Sequence, residues 1–144
     1  MGIELLEPFI GEWKLEASLP GADEVASSAV FEWILGGAFL QERSEVDHPA
    51  APDGVCIVGP SEKGGFTQHY FDSRGIVRIY EMTFEDGEWT LLRVKPDFTP
   101  LAFSQRYIGR FSDDGSRIDG QWESSNDSGE TWELDFRLNY LRVA

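Results

Sequence analysis

Seven polar side chains, scattered through a chain rich in aromatics, are of the types that do chemistry in small sites: Glu42, His69, Arg78, Tyr80, Arg93, Gln105 and Tyr107. A Glu or His held away from water serves as a general base, a tyrosine hydroxyl donates to a developing oxyanion, and an arginine fork fixes a carboxylate. The same set has a plainer reading, in which Glu42 pairs with Arg78 or Arg93 and the buried charges satisfy only each other, because unpaired buried charge is costly. Other chemistries lack their parts. Two distant histidines, His48 and His69, with the single Cys56, offer neither the number nor the spacing of ligands that a metal centre needs. One cysteine makes no internal disulfide, and Cys56 sits in the apolar run Gly54-Val55-Cys56-Ile57-Val58-Gly59, where buried packing is its expected role. Ser27, Ser28 and Ser44 lack the Gly-x-Ser-x-Gly turn that exposes a nucleophile. Gly109 and Gly120 fall within strand-like runs and read as a bend or close approach, not as a phosphate loop.

These residues need elements to position them. Nearly every segment after Gly11 is a short run of alternating or β-branched and aromatic residues, punctuated by Gly, Asp, Asn and Pro. The pattern predicts strands over 12–19, 25–35, 38–46, 54–59, 66–72, 77–84, 89–95, 103–111, 117–124 and 131–142, with one short helix over 5–10. Hairpin follows hairpin, an antiparallel meander. About ten strands in so short a chain need closure to hide their edges, so the expected fold is all-β, a single antiparallel up-and-down β-barrel over residues 1–144. A barrel of that size encloses more room than an eight-stranded one filled by its own side chains, and an interior ligand cavity is expected.

The turns set the register, and the register decides which side chains share a face. A two-residue turn at Gly36-Gly37 puts Trp33 opposite Leu40 and Phe31 opposite Glu42, which turns the Glu42 carboxylate inward with the apolar set. Around Asp113-Asp114-Gly115-Ser116, Phe111 faces Ile118, Gly109 faces Gly120, Tyr107 faces Trp122 and Gln105 faces Ser124. The opposite face then carries Arg110 beside Asp119 and Arg106 beside Glu123, ion pairs suited to a wet surface. With Ser73-Arg74 as a turn tip, Tyr70 pairs with Val77, Thr67 with Tyr80 and His69 with Arg78; Asp86-Gly87 then aligns Phe84 with Trp89, Met82 with Leu91 and Tyr80 with Arg93. One face collects His69, Arg78, Tyr80, Met82, Phe84, Trp89, Leu91 and Arg93, the other Gln68, Tyr70, Val77, Ile79, Glu81, Thr90 and Leu92. Neither is plainly wet, and the first is read as interior on its aromatic bulk alone.

A chain of 144 residues with 41% hydrophobic and 13% aromatic residues fits one ordinary globular domain and excludes wholesale disorder. Twelve Lys and Arg against 26 Asp and Glu leave a net charge of −14, which repels nucleic-acid phosphates and anionic membranes. No nucleic acid and no membrane is expected as a partner. The start of the chain lacks a basic leader with an apolar stretch, and no run approaches the ~20 apolar residues of a membrane helix, so a cytoplasmic protein is expected.

Phe9-Ile10-Gly11-Glu12-Trp13 resembles the Gly-x-Trp opening of lipocalins and other calycin barrels. The resemblance implies that Trp13 plugs the closed end and that Arg142, near the last strand, stacks over it. Through Ile34-Leu35-Gly36-Gly37-Ala38-Phe39-Leu40, the segment from Thr67 to Gly75 and Trp132-Glu133-Leu134-Asp135-Phe136, nearly the whole chain resembles a bacterial lipocalin-like family of unknown function. It is also distantly similar to fatty-acid-binding proteins and nitrobindins. Fatty-acid barrels present Arg-x-Tyr on the last strand, where this chain has Arg137-Leu138-Asn139-Tyr140 with the arginine on the polar face. Nitrobindins ligate haem through a His near the C-terminus, where this chain has none. No cofactor is expected.

The functional expectation is a monomer or homodimer that binds a small hydrophobic or amphipathic molecule inside the barrel, lined by Trp33, Glu42, His69, Arg78, Tyr80, Met82, Trp89, Arg93, Gln105, Tyr107 and Trp122. Two alternatives stand beside it. One is a small barrel enzyme acting on a carboxylate or carbonyl compound, with His69 or Glu42 as base and Tyr80 as oxyanion donor. The other is a solid-cored interaction protein with no ligand. Two Pro-bounded loops, containing His48 and Phe98, are expected to flank the cavity mouth.

Overall fold

The computed structural model describes residues 2–17, 27–47, 52–62, 64–97 and 102–143. His48 and Phe98, the loop residues expected at the mouth, lie outside them. A 3-10 helix, Ile3–Phe9, precedes ten strands: β1 (Gly11–Ala17), β2 (Ser27–Ile34), β3 (Phe39–Val46), β4 (Gly54–Pro60), β5 (Phe66–Asp72), β6 (Val77–Glu85), β7 (Glu88–Arg93), β8 (Ser104–Phe111), β9 (Arg117–Ser125) and β10 (Glu133–Arg142). Each pairs with its sequence neighbours, and β10 returns antiparallel to β1, with Trp13 opposite Arg142 and Leu15 opposite Tyr140. The closed ten-stranded antiparallel barrel expected from the turns is the architecture found. Closure leaves no sheet edge unpaired.

Alternation along each strand sends one residue set inward. In β2 and β3 the buried positions are Ala29, Phe31, Leu40 and Glu42, in the register expected: Phe31 opposite Glu42 and Trp33 opposite Leu40. Their connection is not a two-residue turn but a 3-10 turn over Leu35–Gly37, closed by the Ala38 N–H donating to the Leu35 carbonyl. Four linking residues give the same register as two because both counts are even. The β8–β9 and β6–β7 registers also match, with Tyr107 opposite Trp122 and Phe84 opposite Trp89.

The β5–β6 register does not match. Gln68 faces Tyr80, Tyr70 faces Arg78 and His69 faces Ile79, one residue away from the expected pairing. The loop has three residues between Asp72 and Ile76, with Gly75 at φ 84°. Asp72 is why. Its Oδ1 accepts the N–H groups of Arg74 (2.9 Å) and Ile76 (3.3 Å), while Tyr70 and Arg74 donate to Oδ2. A glycine at the left-handed position closes such a three-residue hairpin. An odd loop reverses every side chain of β5, so Gln68 and Tyr70 point inward and His69 points out.

The helix end of the barrel is sealed by aromatic packing. Phe9 reaches in from the 3-10 helix and meets Phe31, Phe84, Trp89 and Phe111 with ring centroids 4.9–5.4 Å apart. Trp13 donates from Nε1 to the Phe9 carbonyl at 2.9 Å. Over its ring lies the Arg142 guanidinium, 4.2 Å from the centroid, as the Gly-x-Trp resemblance implied. Arg142 also donates to the carbonyls of Ile10 (2.7 Å), Pro8 (2.6 Å) and Gly115 (3.1 Å), tying helix, first strand and a turn into one lid.

On the outer wall Arg106 pairs with Glu123 as expected, and its guanidinium lies over the Trp132 ring. Arg110 sits opposite Asp119 in register but takes Glu88 on β7 as its ion partner (2.7 Å), while Asp119 is held by Arg117 at 2.6 Å. No helix among the described residues is long and apolar enough to cross a membrane.

Candidate functional site

The barrel interior is layered. The helix-end layer is dry and filled: Phe9, Trp13, Leu40, Met82 and Trp89 are all 2% exposed or less. Trp89 is boxed in by the rings of Phe9, Phe31, Tyr107 and Tyr140, and its Nε1–H has no acceptor among the described residues. Met82 and Trp89, expected as ligand lining, thus belong to the packed plug. Trp33 lies at the rim of this end and donates to Glu7 on the 3-10 helix at 3.1 Å.

Across the middle runs a polar bridge. Tyr140 on β10 donates its hydroxyl proton to Glu42 Oε2 on β3, 3.3 Å away across the interior, and Cys56 on β4 hydrogen-bonds the same carboxyl group. The expected pairing of Glu42 with Arg78 or Arg93 is not what the structure contains. Burial pushes the Glu42 carboxyl from its ordinary 4.5 up to about 7, although the Tyr140 and Cys56 hydrogen bonds pull the other way. Burial likewise drives the Cys56 thiol well above its usual range, with the Glu42 carboxyl adding to the shift.

Tyr107 reaches towards this layer through a groove made by two glycines. A Cβ on Gly109 would lie 2.7 Å from the Tyr107 ring, and one on Gly120 would collide with its hydroxyl. The facing glycines read from the sequence as a close approach are therefore the bed of a tyrosine. Its hydroxyl donates to the Leu138 carbonyl at 2.9 Å, while Gly120 N–H is taken by Asn139 Oδ1 at 3.0 Å. Side chains thus carry the β9–β10 bonding between the Arg137–Gln121 and Tyr140–Ile118 pairs.

The end away from the helix is different in kind. Here the inward-facing Ser44, Tyr70, Arg78, Gln105, Trp122 and Leu138 are only partly buried. Tyr80, Arg93 and Gln105 stand in one row across β6, β7 and β8, with Arg78 diagonal to them. Gln105 Oε1 accepts from Tyr80 at 3.1 Å and from Arg78 Nη1 at 3.3 Å. Trp122 packs against both Tyr80 and Tyr107, centroids 5.7 and 5.4 Å away.

Arg93 is paired by a residue the sequence did not single out. Asp97, beyond the end of β7, accepts from its Nε (2.9 Å) and Nη2 (3.0 Å), both side chains being nearly fully buried. The same carboxylate accepts Ile79 N–H at 2.8 Å, replacing the strand bond that β7 is too short to supply. Asp-Phe after Lys-Pro carries no periodicity, so only the early end of β7 could have pointed to this partner.

Of the expected site, Arg78, Tyr80, Gln105 and Trp122 come together, with Arg93 in the same row; Glu42 and Tyr107 lie one layer deeper; Trp33, Met82 and Trp89 lie at the plugged end. His69 is on the outer wall, exposed beside a groove of about 390 Å³ that it lines with Phe39, Ile57, Gly59, Pro60, Ser61, Glu62 and Thr67. A base inside the barrel cannot be His69. Among the described residues no three His, Cys, Asp or Glu side chains converge as metal ligands.

No sequence family and no curated protein matches the chain. Solved structures do. The crystal structure of apo lipid binding protein 8 from Caenorhabditis elegans aligns with a TM-score of 0.63 at 12% identity, covering 96% of this chain and 97% of that one. Rv2717c from M. tuberculosis aligns with a TM-score of 0.66 at 15% identity, covering 99% and 97%. At such identities the likeness establishes the fold alone, a closed ten-stranded antiparallel barrel that is lipocalin- and fatty-acid-binding-protein-like in architecture.

Proposed function

We propose that the protein binds a small hydrophobic or amphipathic molecule in the half of the barrel away from the 3-10 helix. The observation that carries this reading is Trp122: an indole on the inner face of β9, packed edge-on against Tyr80 and tilted against Tyr107, yet only partly buried. An apolar ring that faces a barrel interior and still meets solvent is surface a ligand can cover, and aromatic walls with a few placed polar groups are the usual lining of such sites. The plug and the polar bridge below it would form the floor. That lipid binding protein 8 shares the fold and is named for lipid binding favours the same reading.

Native mass spectrometry of freshly purified protein, followed by organic extraction, tests it directly. The reading expects either a bound mass or uptake of the neutral dye Nile red by the extracted protein, with Trp122→Ala weakening dye binding about fivefold through loss of the stacking face. A bare mass together with no dye uptake would overturn it.

A further inference from the structure

The outer wall of the barrel is charged almost everywhere, and the exception is continuous. Among the described residues, every strand but β4 and β5 turns at least one Asp, Glu, Lys or Arg outward. The outward positions of β4 are Val55, Ile57 and Gly59, and those of β5 are Thr67, His69 and Phe71. The register carries this charge-free surface into β6, where Val77 stands beside Phe71 and Ile79 beside His69. Phe71 is 39% exposed. One exposed ring is ordinary, but an uncharged stretch across three strands of a molecule carrying −14 has the character of a surface that another molecule covers.

Its relief is self-complementary about His69. Two residues towards the β5–β6 turn, Phe71 projects as a knob. Two residues the other way, Thr67 lines the groove of about 390 Å³ that it shares with Phe39, Ile57 and Gly59. A Cβ at position 59 would lie 2.8 Å from the Phe39 ring, so the groove exists in this shape because Gly59 has no side chain. Charge divides in the same way. Arg74, its side chain 51% exposed although paired with Asp72, stands beyond the knob, and the exposed Glu62 stands beyond the groove.

We infer that this wall is the interface between two copies of the chain, related by a two-fold axis that lies in the interface, crosses β5 at right angles and passes over His69. Such an axis exchanges the two directions along β5. Each Phe71 then seats in the groove at Thr67 of the second copy, each Arg74 comes to the side of the second copy's Glu62, and Ile57, His69 and Ile79 meet their own counterparts. A second copy is favoured over an unrelated protein because knob and groove, and cation and anion, lie at matching distances on opposite sides of one residue. The knob and the groove wall are each two strand residues, about 7 Å, from it. The uncharged centre is also where two strongly acidic molecules approach with least repulsion. Two convex walls cover less than a standard interface, so the dimer is expected to be weak, with a dissociation constant of about 10 μM. The inference is independent of what the barrel holds inside.

Sedimentation velocity from about 1 to about 300 μM protein, in about 150 mM sodium chloride to screen the acidic walls, reads the assignment directly. The mass is expected to rise from 16.2 kDa to twice that value across the series. Phe71→Asp, which replaces the knob by a charge, and Thr67→Arg, which fills the groove, should each raise the dissociation constant about 30-fold or more. Both side chains are on the outer wall, so circular dichroism should show each variant folded, and either one suffices if the other fails to fold. His69→Cys brings a thiol of each copy to the axis, and oxidised glutathione should link that variant into a covalent dimer much faster than Asp119→Cys, placed on the far wall. A wild-type chain that stays monomeric throughout overturns the assignment and leaves the surface to a different protein. A dimer that neither Phe71→Asp nor Thr67→Arg weakens overturns it, and so does linkage of His69→Cys no faster than that of Asp119→Cys.

Discussion

Glu42 is the residue whose surroundings most change its chemistry. A carboxyl group that titrates near 7 when folded and near 4.5 when unfolded holds its proton in the folded state over that whole interval. Since the folded state binds more protons there, its contribution to stability is fully present below about 4.5 and is lost as pH rises to about 7. The shift corresponds to roughly 3 kcal/mol, an order of magnitude only. Glu42→Gln, which cannot ionise, should therefore gain on the wild type by up to that amount between pH 4.5 and pH 7.5 in urea denaturation; a constant gap across that range would show that the carboxyl is not held protonated. Tyr140 and Cys56, the partners that make this group what it is, were not legible in the sequence. Tyr140 meets Glu42 from β10 across the interior, a contact set by closure and curvature of the sheet, whereas turn-based registers speak only of adjacent strands; Cys56 is Glu42's register partner on the adjacent β4, and the long sequence between β3 and β4 offers no tight turn from which to count that register. That Glu42 itself faces inward was legible, because the Gly36-Gly37 connection fixes parity whether two or four residues long.

Strand geometry turns on small details of the linking residues. Counting Ser73-Arg74 as the whole turn puts the β5 side chains on the wrong faces, because Gly75 in the left-handed region adds a third residue. Asp-x-x-Gly is the available signal, since an aspartate that caps its own turn and a glycine at the left-handed position are the chemistry of an odd-numbered hairpin. The facing glycines of β8 and β9 are the converse case, recognisable as a close approach although nothing named the group that approaches. Gly120→Ala should push the Tyr107 hydroxyl off the Leu138 carbonyl and force the ring from its bed, costing about 2–4 kcal/mol by the usual scale of overpacking plus a broken buried hydrogen bond. Chemical denaturation measures this, and Tyr107→Phe in the same background should recover part of the loss by removing the colliding oxygen. An alanine variant as stable as wild type would mean the tyrosine has another place to go.

At the level of the molecule, length, aromatic content and hairpin spacing were enough to give a closed barrel of ten strands, because so many antiparallel strands in 144 residues have few other ways to hide their edges. The division into a filled half and a reachable half was not foreseeable from those quantities; it depends on the 3-10 helix pushing Phe9 into the barrel and on Arg142 fastening it there. Charge also acts at this scale. A net −14 spread over the outer wall repels itself in the compact state. Raising sodium chloride from about 10 to 150 mM shortens the screening length from roughly 30 to 8 Å and should raise the melting temperature by a few degrees. An unchanged midpoint would mean that wall ion pairs such as Arg110–Glu88 and Arg106–Glu123 already offset the repulsion.

The seam between the first and last strands has a consequence for how the chain must be made. Trp13 cannot meet Arg142 until β10 has left the ribosome, so every nascent form that stops short of β10 has two raw ribbon borders and an unstoppered throat. Pairings so distant along the chain are slow to find. During biosynthesis, then, the hazard is concentrated in the interval just before the final ribbon docks, when sticky borders invite aggregation and a holdase chaperone would have most to protect.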